Sequence, residues 1–464
     1  MLTREEFDRL RQEDPDALWR ILAEFAQRVL ALEEKIALKP HTPSAAQGFI
    51  KPVSQRPKGK NKSGGQAGHK GHTLEKNETP DETEQHKAQQ CPNCGLDLKE
   101  IPGEVVEVRQ VMDLPEIIRF FTTEHQVVEV CCPGCQSPVK ADFPEHVTAP
   151  VQYGPHTQTT CTLLKVDQAI SLERIVSFFT DWFGHSPSEG TIQNWIHRAA
   201  TELEPIEEQI KQGIIRAGAA GFDETMVRSC KKNTWIHVAR TDKLTHCAAP
   251  GGRGKATIEK IGILPNFRGV AHHDAWEAYF GFKECKHSLC NAHLVREGAS
   301  LKKHFDPAGV WSEPITSWLL EVKKQRDSGI FCCAEKLVTD LRAVVKGGYA
   351  ALGFSPPAEG VKLSACSKEF RSRIRWLDRL WFYAPYVVRF GWDALACFDN
   401  NGSERDIRPV KLFAKVFGCW RSASGLDSFC CLRGYLSTLR KQGISPREGL
   451  LSVFRGNPIV PATT

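Results

Sequence analysis

The sequence predicts a multidomain α+β protein in which an α/β core carries an α-helical insertion and follows several smaller units. Three observations support this prediction. Short apolar segments separated by turn residues begin near residue 215 and are typical of strands. A stretch with helical patterns, from about 291 to 398, lies between these segments and an amphipathic helix near Asn400. Before residue 150, two cysteine pairs and a basic segment indicate separate units, and 464 residues are enough for two to four domains of about 100–200 residues.

The composition excludes several classes of protein. Hydrophobic residues make up 41% of the chain and charged residues 25%, which is sufficient for at least one large core. The first residues, MLTREEFDRLRQEDPD, lack the apolar segment of a secretory signal. No run approaches the roughly 18 apolar residues of a membrane span. We therefore expect a cytoplasmic protein whose 17 cysteines are reduced thiols or metal ligands, not a disulfide framework.

Residues 1–40 are predicted to form an N-terminal unit in which residues 16–38 are a helix. This helix has a heptad seam of apolar side chains: Leu18, Leu22, Phe25, Val29, Leu32 and Ile36. The seam favours either a coiled coil between copies of the chain, hence a homo-oligomer, or docking on the rest of the protein. Residues 41–87 form a Gly/Lys/Pro-rich linker. Within it, residues 51–72 contain six Lys or Arg and no acid. Such a segment is typical either of a solvated linker or of an arm that binds nucleic-acid phosphates through Lys58, Lys60 and Lys62.

The segment 88–148 is predicted to be a zinc-ribbon-like module. It contains two CxxC pairs, Cys91 with Cys94 and Cys132 with Cys135, and strand-like segments such as EVVEVRQV and HQVVEVCC. Tetrahedral zinc needs four soft ligands, which two such pairs supply. The pairs therefore predict a Zn²⁺ site, although four unrelated buried cysteines are the alternative.

The next unit, residues 150–212, has helical patterns and a candidate helix-turn-helix. The segment SLERIVSFFTDWFGHSPSEGTIQNWIHRAA predicts a helix, a tight turn at Gly184, an N-cap at Ser186 and a second helix that ends near Ala200. The second helix carries side chains suited to base edges or phosphates, namely Gln193, Asn194, His197 and Arg198. Two ordinary packed helices are the alternative interpretation.

Three carboxylates are the candidate catalytic residues. Asp223 follows the start of a strand, Asp274 ends a later strand, and Glu404 opens a helix with Arg408 one turn further. Strand meander, helix, strand and a later helix with Glu is the order of an RNase H-like sheet. Carboxylate oxygens suit Mg²⁺ or Mn²⁺, and two such ions assist phosphodiester hydrolysis and transfer. The core is predicted over 213–305 and 399–464, with the helical insertion at 306–398.

Smaller signals remain open or are rejected. Arg405 and Arg408 are predicted either to bind DNA phosphates or to pair with acids such as Asp406. The segment HSLCNAHLVRE contains His287, Cys290 and His293, which favour either a second metal site or a packed structural turn. GGRGKAT resembles a phosphate-binding loop, but Ala stands where Ser or Thr would bind Mg²⁺, so nucleotide binding is rejected.

Several motifs together resemble a known family: GGQAGHKGHTL, the two CxxC pairs, TIQNWIHRAA, DET, HHDAWEAY, HSLCNAHLVRE and NNGSERDIRPVKLFAKVFGCWRSASG. They are similar to those of the insertion-sequence-sixty-six family of DDE transposases. The resemblance implies an RNase H-like domain with a helical insertion and a catalytic triad of Asp223, Asp274 and Glu404. It also implies hydrolysis at element ends, strand transfer into double-stranded target DNA, and accessory proteins of the same element, which suggests association with the nucleoid.

Two positions differ from the family pattern, Met226 in place of Pro and Gly298 in place of Leu, and neither is a predicted ligand. An RNase H-like structure-specific nuclease or resolvase, and a non-catalytic DNA-binding regulator derived from a transposase, are the alternative functions. The units before residue 213 favour a transposase over a junction nuclease, because a junction nuclease does not need them. The three intact carboxylates argue against a non-catalytic regulator.

Overall fold

The computed structural model describes residues 76–114, 118–144, 147–358 and 370–463. The predicted N-terminal unit over 1–40, with its helix, and the basic segment with Lys58, Lys60 and Lys62 lie outside the described residues. The chain divides into two compact units. One falls within residues 54–123 and 182–184, and the other holds the remainder. None of the helices in the described ranges is long and apolar enough to cross a lipid bilayer.

In the smaller unit, the described residues up to 123 contain turns and an isolated bridge between Gln90 and Asp97. The prediction of a strand over EVVEVRQV is wrong. Residues 104–111 have no strand pairing, and Val106 and Val111 are 96% and 91% exposed. The alternating pattern is present, but a strand needs a neighbour that pairs with it through backbone hydrogen bonds. Among the described residues, Lys76 and Asn77 contact this segment only through side-chain hydrogen bonds. The segment HQVVEVCC, in the larger unit, does form a strand, β1 (Glu129–Cys131), which pairs antiparallel with β2 (Pro138–Lys140).

In the described part of the chain, three helices precede the five-stranded sheet: α1 (Pro155–Val166), α2 (Leu172–Phe183) and α3 (Glu189–Arg216). Gly184 has a φ of +71°, which confirms the predicted turn after α2. The N-cap of α3 is Ser188 instead of Ser186, because the Ser188 hydroxyl accepts the Thr191 amide at 3.1 Å. The predicted end near Ala200 is also wrong. The helix continues to Arg216 because buried Leu203, Ile206, Ile210 and Ile214 extend its apolar face.

A five-stranded mixed sheet follows, with strands β3 (Ala219–Ser229), β4 (Lys232–Arg240), β5 (Thr245–Gly251), β6 (Val270–His273) and β7 (Lys286–Leu289). The order across the sheet is β5-β4-β3-β6-β7. The first three strands form the predicted antiparallel meander, and β6 joins β3 in parallel. Helix α4 (Lys255–Ile261) and the 3₁₀ turn Leu264–Asn266 lead from β5 to β6. The predicted meander, helix and strand are confirmed, and β7 is an additional parallel strand that the sequence did not predict.

The predicted helical stretch after the sheet is also confirmed. It contains α5 (Asn291–Phe305), α6 (Glu313–Asp327), α7 (Ala334–Ala351), α8 (Arg371–Phe382) and the short α9 (Ala384–Val387). Their shared core includes the fully buried residues Ile315, Leu319, Leu341, Tyr349 and Trp376. The chain ends with α10 (Asn401–Phe417), α11 (Ala423–Lys441) and α12 (Pro446–Phe454). Together these elements make a mixed α+β fold with an α/β core.

Helix α10 packs closely on β3 because glycine stands at the contact. A Cβ on Gly221 would lie 2.4 Å from Asn400 Oδ1 and 2.5 Å from Ser403 Oγ, which excludes any larger residue there. The Asn400 side chain donates to the Phe222 carbonyl at 2.8 Å. The start of α10 is therefore fixed against the strand that carries Asp223.

Candidate active site

Asp223 lies on β3, and Asp274 directly follows β6, the parallel neighbour of β3. Gly221 on β3 pairs with His272 on β6, and the two aspartates each follow two positions later. Adjacent strands in a sheet are about 4.8 Å apart. The sheet register therefore brings two residues that are distant in the sequence to the same point of the fold.

The surroundings of Asp223 carry excess negative charge. Burial raises the pKa of the Asp223 carboxyl to about 8, and the neighbouring carboxylates of Glu224 and Asp274 add to this rise. Lys411 on α10 and the Glu224 amide act in the opposite direction. A cation bound at this point would relieve the repulsion between the acids.

Glu404 lies in the first turn of α10 and has cationic partners of its own. Its Oε1 accepts a hydrogen bond from Arg296 at 2.6 Å and lies 3.3 Å from His293 Nε2, both residues of α5. Burial raises the pKa of this carboxyl, but Arg296, His293 and Lys411 outweigh burial and hold the pKa below its ordinary value. Glu404 is therefore an ionised, neutralised carboxylate.

Lys411 is the common neighbour of the two halves of the site. Its charge lowers the pKa of both Asp223 and Glu404. Glu404, Arg408 and Lys411 follow the i, i+4, i+7 spacing that places side chains on one face of a helix. This face of α10 therefore adjoins the aspartates on the sheet.

The donor set fits a hard divalent cation. Asp223, Asp274 and Glu404 offer only carboxylate oxygens, which are the protein ligands that Mg²⁺ and Mn²⁺ prefer. Within the described ranges, however, no three His, Cys, Asp or Glu side chains form a group that could hold a metal ion. The reason at Glu404 is visible, because Arg296 and His293 occupy the oxygen that a metal would need. Cation binding there requires an exchange of partners.

Glu224 is a fourth acid that sequence reasoning missed. Its side chain is only 2% exposed and pairs with Arg253, whose Nη2 lies 2.6 Å from Oε1. Tyr279 donates its hydroxyl to the other oxygen. Arg253 belongs to the GGRGKAT segment, and the signals that could have found this pair are the second acid after Asp223 and the glycines around the arginine.

The residues of HSLCNAHLVRE do not form a common site. His287 Nδ1 contacts His273 Nε2 at 2.9 Å, and the Cys290 sulfur accepts the backbone amide of Asn400 at 3.1 Å. His293 lies instead against Glu404. This segment therefore contributes packing around the candidate active site, with His293 and Arg296 as its direct contribution.

Each CxxC pair adopts a tight turn. The Gly95 amide donates to the Cys91 carbonyl at 2.8 Å, and the Gln136 amide donates to the Cys132 carbonyl at 2.7 Å. Backbone amides of Asn93 and Cys94 lower the pKa of the Cys91 thiol, and the hydroxyl and amide of Ser137 lower that of Cys135. Each turn thus favours the thiolate form of one of its cysteines, Cys91 and Cys135, and the thiolate is the form that binds zinc. The two pairs belong to different compact units.

The candidate DNA-binding residues of α3 are partly used in internal contacts. His197 Nδ1 contacts Ser428 Oγ at 2.8 Å, Gln193 contacts His197 at 3.1 Å, and Arg198 donates to Gln158. Asn194 is exposed.

On α10, Arg405 and Arg408 are also exposed. Asp406 pairs with Arg240 at 3.4 Å and Lys441 at 2.8 Å, so the alternative that Asp406 neutralises these arginines is wrong. Among the described residues, neither Arg405 nor Arg408 takes part in an ion pair.

Comparison with known proteins gives one clear similarity. The model of the family described as Transposase IS66 family matches residues 150–428, which is more than half of the chain and includes all three carboxylates. No curated protein matches the chain.

Proposed function

The chain belongs to the Transposase IS66 family, and from this premise we propose that it is a DDE transposase with an RNase H-like core. In this proposal Asp223, Asp274 and Glu404 catalyse cleavage at the ends of an insertion sequence and transfer of those ends to target DNA. The observation that carries the proposal is the parallel pairing of β3 with β6, which brings Asp223 and Asp274 to the same end of the two strands, with α10 fixed beside them.

The proposed reaction has two in-line steps at phosphorus. In the first, a water oxygen forms a bond to phosphorus and the bond to the 3′ oxygen breaks, which leaves a 3′ hydroxyl and a 5′ phosphate. In the second, that 3′ hydroxyl attacks a phosphodiester of the target, whose own 3′ oxygen leaves with a proton. Mg²⁺ or Mn²⁺, when bound, would activate the attacking oxygen and stabilise the leaving oxygen.

The protein side chains prepare this site in two ways. Asp223 must lose the proton that its raised pKa retains near neutral pH, so occupancy of the site depends on pH. Glu404 is already ionised, but it must release Arg296 and His293 before it can accept a new cation. Once released from Glu404, Arg296 and His293 would be able to bind DNA phosphates.

DNA binding is proposed for exposed cationic groups. Arg405 and Arg408 lie on α10 next to Glu404 and are free of acidic partners among the described residues. We propose that they bind the phosphates of the DNA being cut. Asn194 and Gln193 would read base edges, while the basic segment with Lys58, Lys60 and Lys62 would bind the DNA backbone outside the described residues. His197 and Arg198 would support α3 through their internal contacts and add phosphate contacts.

Zinc and protein partners complete the proposal. The thiolate-stabilising turns support one Zn²⁺ held by Cys91, Cys94, Cys132 and Cys135. A homo-oligomer, formed through the heptad helix, would bring two element ends together. Accessory proteins of the same element are expected to take part.

The test is a strand-cleavage and joining assay with the purified full chain. The substrate is a duplex that contains the terminal inverted repeat flanking the chain's own gene, with supercoiled plasmid as target and Mg²⁺ present. We expect a new 3′ hydroxyl at the end of the repeat and covalent joining to the plasmid. Cleavage without joining would favour the nuclease alternative, and binding without cleavage would favour the regulator.

A further inference from the structure

Both carboxylate oxygens of Glu224 already accept hydrogen bonds, so we do not assign Glu224 as a metal ligand. Arg253 Nε and Nη2 both lie 2.6 Å from its Oε1, and the Tyr279 hydroxyl donates to its Oε2. The carboxylate is nearly inaccessible, with 2% of the side chain exposed. An acid buried in this way is stable only with its partners in place. Its effect is to fix the position of Arg253.

The Arg253 guanidinium is also fixed by two tryptophan rings. Its central carbon lies 3.9 Å from the ring centre of Trp276 and 4.7 Å from that of Trp235. The loop that carries Arg253 is fixed by His237, whose Nε2 contacts the Gly252 carbonyl at 2.9 Å. Gly251, with a φ of +113°, permits the turn into this loop. Arg253 is therefore held in one place before any ligand binds.

Arg253 is directly connected to the candidate active site. The Arg253 Nη2 lies 4.0 Å from Asp274 Oδ2. The other oxygen of Asp274, Oδ1, accepts the backbone amide of Trp276 at 2.9 Å. A guanidinium has five N–H donors, and two of them bond Glu224, so three remain. The side chain is 24% exposed, so the group is accessible at the edge of the site.

We propose that Arg253 binds a non-bridging oxygen of the phosphodiester that is cut beside Asp274. This inference rests on the proposed function. A planar guanidinium matches the oxygens of a phosphate, and a cation fixed in advance stabilises the charge that develops on them in the transition state. Glu224, Trp235 and Trp276 are positioning residues that act through Arg253. If Arg253 served only to neutralise Glu224, it would need neither the contacts with the two tryptophan rings nor a position close to Asp274.

The test combines a substitution in the protein with one in the DNA. The end duplex carries a methylphosphonate of defined stereochemistry at the cleaved position, which replaces one non-bridging oxygen by methyl. Wild type should lose about 10²-fold in cleavage rate with the diastereomer that lacks the contacted oxygen. On ordinary DNA, Arg253→Gln should lose a similar factor in cleavage rate. With that diastereomer, the rate of the variant should fall by at most about threefold further. If the losses in cleavage rate from Arg253→Gln and from the methylphosphonate were fully additive with both diastereomers, the inference would be overturned.

A second measurement does not depend on cleavage. Without divalent ions, wild type should bind ordinary duplex more tightly than the same diastereomer, whereas Arg253→Gln should bind both equally. If wild type binds but never cleaves, the proposed function fails while this comparison still decides whether Arg253 contacts the phosphate. Equal discrimination by wild type and variant would refute that contact.

Controls address folding and charge. Arg253→Gln leaves Glu224 without its cation, so the pair Glu224→Gln with Arg253→Gln provides a variant in which both charges are removed. It should show the same loss of discrimination between diastereomers as the single variant. Arg253→Lys should recover part of the binding preference. Arg228→Gln is the matched control, because Arg228 is exposed at the far end of β3 and its side chain donates to the Lys231 carbonyl at 3.3 Å.

Discussion

The protein has two candidate metal sites of opposite character. The carboxylate site stands on β3, β6 and α10, where backbone pairing and the close packing of Gly221 fix its position. The cysteine turns lie in segments that contain little regular structure, and several apolar side chains around them are exposed: Leu96, Val106, Val111, Phe121, Val128 and Val130. One site is held by the fold, and the other is held by local turns.

The difference predicts different roles for the two metals. A site fixed by a sheet and a helix needs its metal for chemistry and not for folding, because the sheet buries its core without it. Segments with exposed apolar side chains lack a core, and a structural metal commonly supplies the missing stability in such modules. We therefore expect magnesium to control activity and zinc to control order in residues 88–148.

The largest effect is expected at the carboxylates. Asp223→Asn, Asp274→Asn and Glu404→Gln should each reduce end cleavage by about 10³-fold or more, because a lost ligand displaces an ion that stabilises the transition state. DNA affinity in a gel-shift assay should change little. Asp242→Asn is the control, since this acid is fully exposed in the turn after β4. Near-normal cleavage by any of the three variants would remove that residue from the site.

Zinc removal should produce the opposite pattern. The purified chain should contain one zinc per molecule by metal analysis, Cys94→Ser should lose it, and Cys131→Ser should keep it. Chelation should then expose residues 88–148 to limited proteolysis while residues 215–358 stay resistant, because only the former depend on metal for order. A wild-type protein without zinc, or an unchanged cleavage pattern after chelation, would contradict the comparison.

DNA affinity and specificity should depend on residues outside both metal sites. Replacing Lys58, Lys60 and Lys62 with Gln should weaken binding to all sequences and reduce the slope of log affinity against log salt by up to about 0.9 per lost contact. Gln193→Ala or Asn194→Ala should instead reduce the preference for end DNA over random DNA. The measurement is a salt series of binding by fluorescence anisotropy. An unchanged slope would exclude the basic segment from phosphate binding.

A further expected effect, on stability instead of activity, is a dependence on pH. The folded pKa of Asp223, about 8, lies above the ordinary value of 3.8, so the folded state retains a proton that the unfolded state has lost. Without metal, the free energy of unfolding should therefore fall as pH rises from about 4 to 8, by at most about 1.4 kcal/mol per pH unit. Asp223→Asn should flatten this part of the curve. Urea titrations of both proteins across that range provide the check.

The sequence predicted the parts of the catalytic region whose patterns are local. Short apolar runs separated by turn residues predicted β3, β4 and β5, and the amphipathic pattern predicted α10 with Glu404 in its first turn. The pattern failed where pairing partners decide the outcome, as in EVVEVRQV, and where an element is short, as in the four residues of β7. The length of α3 was also missed, because buried side chains beyond Ala200 support it.

The contacts that define the site are long-range, and the sequence pattern does not show which residues make them. Arg253 reaches Glu224 across 29 positions, and Arg296 reaches Glu404 across 108. Neither arginine stands in a periodic pattern that distinguishes it from a surface residue. Only the folded sheet shows that Asp223 and Asp274 lie at the same end of two paired strands, and only the folded structure shows that Arg296 and His293 neutralise Glu404.

The most direct test of the central claim changes the chemistry of one ligand. Asp223→Cys replaces a hard carboxylate with a softer thiolate, which binds Mg²⁺ poorly but accepts Mn²⁺ better. End cleavage by this variant is measured in Mg²⁺ and in Mn²⁺, with wild type as the reference. If Asp223 holds the catalytic metal, the variant should be inactive in Mg²⁺ and regain at least about tenfold in Mn²⁺ relative to wild type. Equal activity of the variant in both ions, relative to wild type, would contradict metal binding at Asp223.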